Sequence, residues 1–281
     1  MKLGLTVLFI ALCACQSATA PGRELHPVTA QLIADAASVQ PGQAFTVGVI
    51  LTMKPCWHVY WKNPGDAGTP VAITISGPPG LGQGAVGWPL PISFQQPGDI
   101  AGFGYTDTVL FPVTLTAPKD VATGATLQIA ADVKWLCCKD VCMPGSAKLE
   151  LALPVGDPRP ANTETFAAWR DRLPVADPDP LAIAEVAGAI DRATRRGSFV
   201  VTVAWKKPPA RVEFFPEADP ALDISNVAIA SEGGRSRITF DARVFEGQRL
   251  AANDVGALVV ATNERGERRG LTIQVPLQRE P

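Results

Sequence analysis

The sequence predicts an all-β protein with two β-sandwich domains joined by a short helix. Three observations lead to this fold class. Apolar and polar residues alternate along many short segments, and 26 prolines and 25 glycines mark turns between them without forming a repeat. The length of 281 residues suits two domains better than one. Hydrophobic residues make up 47% of the chain and charged residues 19%, which is enough apolar material for packed cores.

The balance of charge limits the classes of partner. The chain has 25 basic and 27 acidic residues, which leaves a net charge of −2. This balance supplies no general attraction to nucleic acid or to an anionic membrane, so we expect no nucleic-acid partner.

Residues 1–20 have the pattern of an export signal. Lys2 supplies a positive start, and the apolar run 3–14 is too short to span a membrane. Two processing routes remain open, namely cleavage after Ala18-Thr19-Ala20 or a lipobox, Leu12-Cys13-Ala14-Cys15, that would place a lipid anchor on Cys15. Both routes take the mature chain out of the cytoplasm, and no later segment reaches the roughly 18 apolar residues of a membrane span.

Residues 21–155 form the first predicted domain, in which strand follows strand from about residue 28. Clusters of Pro, Gly, Asn and Asp separate the strands, as in a sandwich of two antiparallel sheets. The strands predicted from alternation are 44–51, 71–76, 109–115, 127–135 and 147–153.

Residues 156–180 form the predicted linker, which opens with the irregular stretch 156–160 and ends in Asp177-Pro178-Asp179-Pro180. A short helix lies between them, with Asn162 as its N-cap and Pro174 as its stop. Its apolar face consists of Phe166, Trp169 and Leu173.

Residues 181–281 form a second predicted β-sandwich, which contains neither cysteine nor histidine. Gly233-Gly234 and the stretch 263–266 are typical of hairpin turns. The predicted strands are 199–205, 211–215, 237–244, 257–262 and 271–275.

The cysteines are the most informative residues for function. The chain has six, and Cys13 and Cys15 belong to the export signal, which leaves Cys56, Cys137, Cys138 and Cys142. An even number of cysteines outside the cytoplasm indicates disulfide bonds.

Cys138 and Cys142 flank a turn where one strand ends and the next begins, so their sulfur atoms can meet. Closing so small a ring contributes only about 2 kcal/mol by the chain-entropy model, which suits a bond that opens and closes. Lys139 favours a nearby thiolate, whereas Asp140 opposes one.

Two other interpretations of these cysteines stay open. One is an ordinary disulfide that locks the hairpin. The other is a zinc site built from Cys137, Cys138 and Cys142 with Cys56 or His58, although adjacent cysteines match zinc spacing poorly.

A second cluster covers residues 56–66. Strand alternation places Trp57, Val59 and Trp61 on one face, and His58, Tyr60 and Lys62 on the other. We expect the first face to be core and the second to face solvent, with His58 a candidate proton donor near the thiols.

Five short stretches of the sequence together resemble a known family. They are 57–66, Trp88-Pro89, Gly104-Tyr105, Trp135-Leu136 and 138–142, in that order. They are similar to the periplasmic N-terminal domain of the thiol:disulfide interchange protein DsbD, in the branch that includes the suppressor-of-copper-sensitivity protein ScsB. The resemblance is specific over 28–155, and over 175–279 it depends on a second sandwich and on Phe214-Phe215-Pro216.

The resemblance implies two immunoglobulin-like sandwiches and a periplasmic thiol–disulfide oxidoreductase of the protein-disulfide reductase type. Cys142 would join partners in the mixed disulfide, and Cys138 would resolve it. A membrane-embedded thiol reductase would donate electrons, and periplasmic thioredoxin-like proteins would accept them. The cysteine pair would be the only redox group, without a metal or other cofactor, and the branch links the protein to copper tolerance.

The sequence departs from this family in three respects. The family's membrane domain and thioredoxin-like domain are absent from this sequence, so we expect a separate polypeptide to supply electrons. Cys56 and Cys137 are additional cysteines, and we expect them to form a second disulfide. An aromatic cap loop shields the family's cysteines, and Phe94 and Phe103 fall in the corresponding segment. The predicted supporting residues are His58, Tyr60, Lys139, Asp140, Phe103 and Tyr105.

Two other classes of function compete with redox exchange. A binding module would use the second domain to hold an exported partner and would keep a shielded, structural disulfide. A copper or zinc handler would bind the metal through its thiolates.

Overall fold

The computed structural model describes residues 26–96, 98, 100–175 and 182–277, and this part of the chain contains nineteen strands and one helix. The predicted all-β fold class is therefore confirmed. The export signal 1–20, with Cys13 and Cys15, lies outside the described residues, as does the stretch 177–180. The described helix has 8 residues, far fewer than a membrane-spanning helix requires.

The first domain is a sandwich of two antiparallel sheets. One sheet has the order β1-β3-β9-β6, and the other has the order β11-β10-β4-β8-β7 with β5 paired to β10. The strands are β1 (Val28–Ala34), β2 (Ala36–Ser38), β3 (Ala44–Met53), β4 (His58–Gly65), β5 (Ala72–Ser76), β6 (Gly82–Val86), β7 (Ile92–Gln96), β8 (Ile100–Thr106), β9 (Thr108–Thr116), β10 (Thr126–Cys138) and β11 (Cys142–Pro154).

Alternation along β10 shows how the first core forms. Every second side chain of this strand is buried between the two sheets, because successive side chains of a strand point to opposite faces. These buried residues are Leu127, Ile129, Ala131, Val133, Trp135 and Cys137. The side chains between them lie on the outer face of the sheet.

The linker is tied to the first domain and is less irregular than predicted. Its residues Arg159–Pro160 form a short strand, β12, that pairs with β2. The helix α1 (Thr163–Arg170) follows, with Phe166 buried and Trp169 packed against the first core. Leu173 lies beyond the helix end.

The predicted capping role of Asn162 is wrong. Asn162 occupies the N-cap position, but its φ of 50° is left-handed and its side chain makes no capping hydrogen bond. Its amide instead donates to the backbone oxygen of Ala34, at 2.8 Å, because the linker folds back onto β1.

The second domain is also a sandwich of antiparallel sheets, with the orders β13-β14-β17-β16 and β15-β18-β19. A second core, which includes Phe199, Phe240 and Val259, fills the space between them. The strands are β13 (Ala182–Gly188), β14 (Arg196–Trp205), β15 (Arg211–Pro216), β16 (Leu222–Glu232), β17 (Arg235–Val244), β18 (Asp254–Thr262) and β19 (Arg268–Pro276).

The second domain also completes the core of the first. Phe215, Leu258 and Val260 are buried in the first domain's hydrophobic cluster rather than in the second core. The ring of Phe215 packs edge-on against Trp61, at 6.1 Å between centroids, and against Phe103, at 5.1 Å. The two sandwiches are therefore joined by apolar packing, which sets the position of one on the other.

This shared packing makes Phe215 important for the stability of the whole chain. We expect Phe215→Ala to lower the free energy of unfolding by about 3–5 kcal/mol, because it leaves a cavity at a fully buried site. Urea denaturation followed by tryptophan fluorescence measures the loss. Phe245→Ala is the matched control, since Phe245 is 40% exposed and should cost less than about 1 kcal/mol. Equal losses for the two variants would contradict the shared core.

Candidate functional site

Cys138 and Cys142 close the hairpin that β10 and β11 form. The ladder of paired residues runs from Thr126 opposite Pro154 to Cys138 opposite Cys142. The two sulfur atoms are bonded, 2.01 Å apart, and residues 139–141 make the turn between them. The disulfide thus lies at the tip of a long hairpin whose strands hold both cysteines in place.

The two sulfur-bearing residues differ in exposure. Cys138 is 1% exposed, whereas Cys142 lies on the surface. Two apolar side chains next to Cys142 in the chain are also exposed, Val141 at 62% and Met143 at 37%. A macromolecule can therefore reach Cys142, with apolar surface beside it, while Cys138 stays covered.

Lys139 and Asp140 occupy the turn beside the disulfide, as the sequence predicts. Their charged groups are 3.9 Å apart, and both side chains are largely exposed. Opposite charges in water offset each other and are screened, so this pair adds little to the field at the sulfur atoms.

Cys56 and Cys137 are both free, so the predicted second disulfide is wrong. Cys137 points into the core and donates from its Sγ to the backbone oxygen of Met143, at 3.3 Å. Burial raises the pKa of its thiol. Cys56 is exposed, with a φ of 69°, in a turn closed by the Trp57 N–H and the Lys54 carbonyl. The pleat of β10 turns Cys137 inward, away from this surface turn.

The face of β4 that carries His58 and Tyr60 is covered, although we expected it to face solvent. His58 is 8% exposed and Tyr60 is 1% exposed. The Tyr60 hydroxyl lies 3.2 Å from Sγ of Cys138, 3.1 Å from Oε1 of Gln96 and 3.4 Å from Nε2 of His58. The opposite face is core as predicted, with Val59 and Trp61 buried.

Phe94 covers this polar cluster from β7. Its ring centroid is 4.1 Å from that of His58 and 6.1 Å from that of Tyr60. Phe94 lies opposite Gly102 in the β7–β8 ladder, where a Cβ atom would come within 2.3 Å of the Phe94 ring. The glycine thus leaves room for the ring over the site, where it is tilted by 43° to His58 and by 52° to Tyr60.

Burial sets the protonation of the two polar rings. Desolvation lowers the pKa of His58 from its ordinary value of about 6.5, so the imidazole is neutral near pH 7. Desolvation raises the pKa of Tyr60, and its hydrogen bond to Gln96 only partly opposes this. Tyr60 therefore keeps its proton and can donate to a sulfur anion at Cys138.

Phe103 and Tyr105 do not support the cysteines, which corrects their predicted role. Both lie on the core side of β8, because alternation turns odd-numbered residues of this strand inward. Phe103 packs against Phe215, and the Tyr105 hydroxyl donates to the backbone oxygen of Pro89, at 2.8 Å.

Two neighbours of the cysteines were missed from the sequence. Gln96 ends β7 and contacts Tyr60, but its position before Pro97-Gly98 indicated only a turn. His26 lies with Nε2 3.9 Å from Sγ of Cys137 and its ring against Trp135. No local pattern links either residue to the cysteines, because strand pairing brings Gln96 to the site and tertiary packing brings His26 to β10.

The metal-binding interpretation is not supported by this arrangement. Among the described residues, no group of three or more His, Cys, Asp or Glu side chains could hold a metal ion. Cys138 and Cys142 are bonded to each other, and Cys137 lies on the opposite face of β10. The four ligands proposed from the sequence therefore do not meet.

The fold and the site together define a class of protein, a β-sandwich with a half-exposed cysteine pair at a hairpin tip. Residues 28–154 match the family model of the thiol:disulfide interchange protein DsbD, N-terminal. This part of the chain is therefore a DsbD N-terminal-like domain, whose family is one of thiol–disulfide exchange.

Comparison with solved structures extends the likeness to both domains. The N-terminal periplasmic domain of ScsB from Proteus mirabilis matches 88% of this chain and 94% of its own, with 18% identity and a TM-score of 0.63. At this identity the match shows a common fold.

Two further matches to solved structures have TM-scores too low to support a common fold. The YadV chaperone has 10% identity, covers 87% of this chain and 100% of its own, and has a TM-score of 0.24. A conserved domain protein from Bacillus anthracis has 7% identity, covers 92% and 89%, and has a TM-score of 0.26. No curated protein matches the sequence.

The different surroundings of the two free thiols predict different reactivity. In the native, unreduced protein we expect iodoacetamide to label Cys56 at least about tenfold faster than Cys137, because Cys137 reacts only when the core opens. Peptide mapping by mass spectrometry measures both rates. Denaturant is the control and should make them similar. A peptide that cross-links Cys56 to Cys137 would contradict the assignment.

The lowered pKa of His58 predicts a loss of stability in acid. Below about pH 6.5 the unfolded chain binds a proton on His58 that the folded chain does not, so stability present above this pH is lost as the pH falls toward the folded-state pKa. The loss reaches at most about 1.4 kcal/mol per pH unit.

Urea titrations of the native chain and of His58→Gln, between about pH 8 and pH 5, measure this contribution. The difference in unfolding free energy between the two proteins should be constant above about pH 7 and should shrink below it. A difference independent of pH would show that burial does not perturb His58.

Proposed function

We propose that this chain is a periplasmic thiol–disulfide oxidoreductase that relays electrons through Cys138 and Cys142. The observation that carries the proposal is the asymmetry of the pair, in which an exposed Cys142 is bonded to a covered Cys138. Exchange requires one reachable sulfur to form a mixed disulfide and a second sulfur held beside it to resolve that bond.

Reduction of the pair begins when a donor thiolate attacks Sγ of Cys142. The bond between Cys142 and Cys138 breaks, its electron pair stays on Cys138, and Cys142 is joined to the donor. The donor's second thiolate then attacks its own bonded sulfur, which releases Cys142 as a thiolate and leaves the donor oxidised. The pair gains two electrons, and the two thiolates take up protons from solvent or from neighbouring groups.

Delivery to an acceptor uses the same steps in the opposite direction. The Cys142 thiolate attacks the acceptor's disulfide, and one acceptor sulfur leaves with the electron pair. Cys138 then attacks Sγ of Cys142, which restores the Cys138–Cys142 bond and releases the reduced acceptor. The exposed sulfur thus makes every contact with other proteins.

Tyr60 assists when Cys138 carries negative charge. Its hydroxyl is already 3.2 Å from the sulfur, and the raised pKa keeps its proton in place. Donation to the developing thiolate stabilises Cys138 as leaving group and as resolving nucleophile. The neutral His58, 3.4 Å from the same hydroxyl, helps to hold it in position.

The proposed partners follow from the family of the first domain. A membrane-embedded thiol reductase on a separate polypeptide supplies the electrons, and periplasmic thioredoxin-like proteins receive them. The cysteine pair is itself the redox group, so the proposal requires no other cofactor. The export signal delivers the chain to the periplasm, either free after cleavage or tethered through a lipid on Cys15.

The alternative of a binding module with a structural disulfide is less well supported. Such a bond would be shielded on both sides, whereas Cys142 and its neighbours Val141 and Met143 are exposed. The hairpin also needs no disulfide to hold its strands together, because the β10–β11 ladder already pairs thirteen residues of each strand.

Cysteine variants test the relay directly. With Cys142 free and no resolving thiol, Cys138→Ser should accumulate a mixed disulfide with an oxidised thioredoxin-like protein. Both variants carry Cys56→Ser as well, which removes the exposed Cys56 thiol. Cys142→Ser should then form no adduct, because its remaining described thiols, on Cys137 and Cys138, are covered. Non-reducing electrophoresis and mass spectrometry measure the adduct. Cys56→Ser is the control and should exchange as the native chain does. Trapping by Cys142→Ser, or by neither variant, would refute the assignment.

A further inference from the structure

The cover over the polar cluster beside Cys138 lies on an edge strand of its sheet. β7 carries Phe94 and Gln96, which both face the polar cluster, and within the described ranges it pairs only with β8, at the edge of its sheet. An edge strand held by one ladder of five residue pairs has few contacts to keep it closed. Contacts with other parts of the chain can therefore decide how firmly it lies against His58 and Tyr60.

The second domain makes polar contacts with this strand and with the residue before it. Ser93 Oγ donates to Oε1 of Glu213, at 3.1 Å. A guanidinium nitrogen of Arg268 donates to the backbone oxygen of Pro91, at 2.7 Å, and to Oε2 of Glu213, at 3.1 Å. The Glu213 side chain is 11% exposed and that of Arg268 is 24% exposed, so solvent screens the pair only partly. We call Ser93, Glu213 and Arg268 the clamp.

The pleat of β7 connects the clamp to the site. Ser93 points to the second domain, and its neighbour Phe94 points the opposite way, onto His58. Movement of Ser93 away from Glu213 therefore moves the ring that covers the polar cluster.

The second domain holds β4 in a similar manner. Lys62 forms an ion pair with Glu217, and the Asn63 amide donates to the backbone oxygen of Pro216, at 2.8 Å. His58 and Tyr60 lie at the start of the same strand. Both strands that carry the polar cluster and its cover are thus bound to the second domain.

We propose that Glu213 and Arg268 of the second domain are positioning residues for the redox site, because they hold β7 closed over Cys138. This gives the second sandwich a role in exchange although it contains no cysteine. The inference rests on the proposed function, because the cover matters for exchange only if Cys138 takes part in it. Whether the second domain holds the cover in place can nevertheless be tested without any partner protein.

The test measures how readily the Cys138 thiol is alkylated. The background is Cys56→Ser with Cys142→Ser, which leaves Cys137 and Cys138 as the thiols of the described chain. We expect Arg268→Ala and Glu213→Ala each to raise the iodoacetamide labelling rate of Cys138 at least about fivefold, because each removes charge-assisted hydrogen bonds that oppose local opening. Fragment-ion mass spectrometry separates the labels on the two cysteines.

Arg211→Ala is the matched control. Arg211 also pairs with Glu213, at 3.0 Å, but its side chain is 65% exposed and no bond joins it to β7 among the described residues. Its variant should label within about twofold of the parent. Arg268→Lys keeps a cation beside Glu213 and should restore part of the protection that alanine removes.

The internal control is Cys137, which is buried in the core of the same domain. Its labelling should stay slow in every variant, since the clamp affects the cover and not the core. The inference is overturned if Arg268→Ala labels Cys138 no faster than Arg211→Ala, if lysine restores nothing, or if Cys137 labelling rises in parallel, which would indicate general unfolding. A failed trap with a thioredoxin-like protein would refute the proposed function and leave this measurement unaffected.

Discussion

The pleat of the sheet formed by β11, β10, β4, β8 and β7 is the constraint on which the site depends. Successive side chains of a strand point to opposite faces, so β10 and β4 each supply one face to the core and the other to the site. This places Cys137 among apolar residues and Cys138 beside His58 and Tyr60, although the two cysteines are adjacent in the chain. The same alternation decides that Phe94 covers the site while Phe103 joins the interface between domains.

The hairpin and the cover give the sulfur atoms of Cys138 and Cys142 different exposure and therefore different roles. At the tip of the β10–β11 ladder, Cys142 is exposed where the chain turns, so a partner can reach it. Cys138, directly opposite in the ladder, is 1% exposed and lies beside His58 and Tyr60 of β4, which Phe94 of β7 covers. A covered sulfur beside an exposed one limits attack to a single atom, which is the condition for ordered exchange between proteins.

The interface between the domains connects the second domain, which has no cysteine, to the redox site. Apolar packing through Phe215 fixes the second sandwich on the first. Polar contacts then bind Pro216 of the second domain to β4 and Glu213 to β7. Apolar burial supplies most of the free energy that joins the two domains, while hydrogen bonds and ion pairs fix the position of the second domain on the first. An edge strand that would otherwise open is in this way closed by a neighbouring domain.

The sequence by itself determined the all-β class, most strands and the turn between Cys138 and Cys142, because alternation, Pro–Gly turns and short cysteine spacing are local signals. Only the tertiary structure decided that Cys56 and Cys137 are free, that the His58 face is covered, and that Gln96 contacts Tyr60. It also decided that Asn162 binds Ala34 and does not cap its helix. These outcomes depend on which strands pair and on what packs over a sheet's outer face, which are contacts between residues far apart in the chain and leave no local pattern.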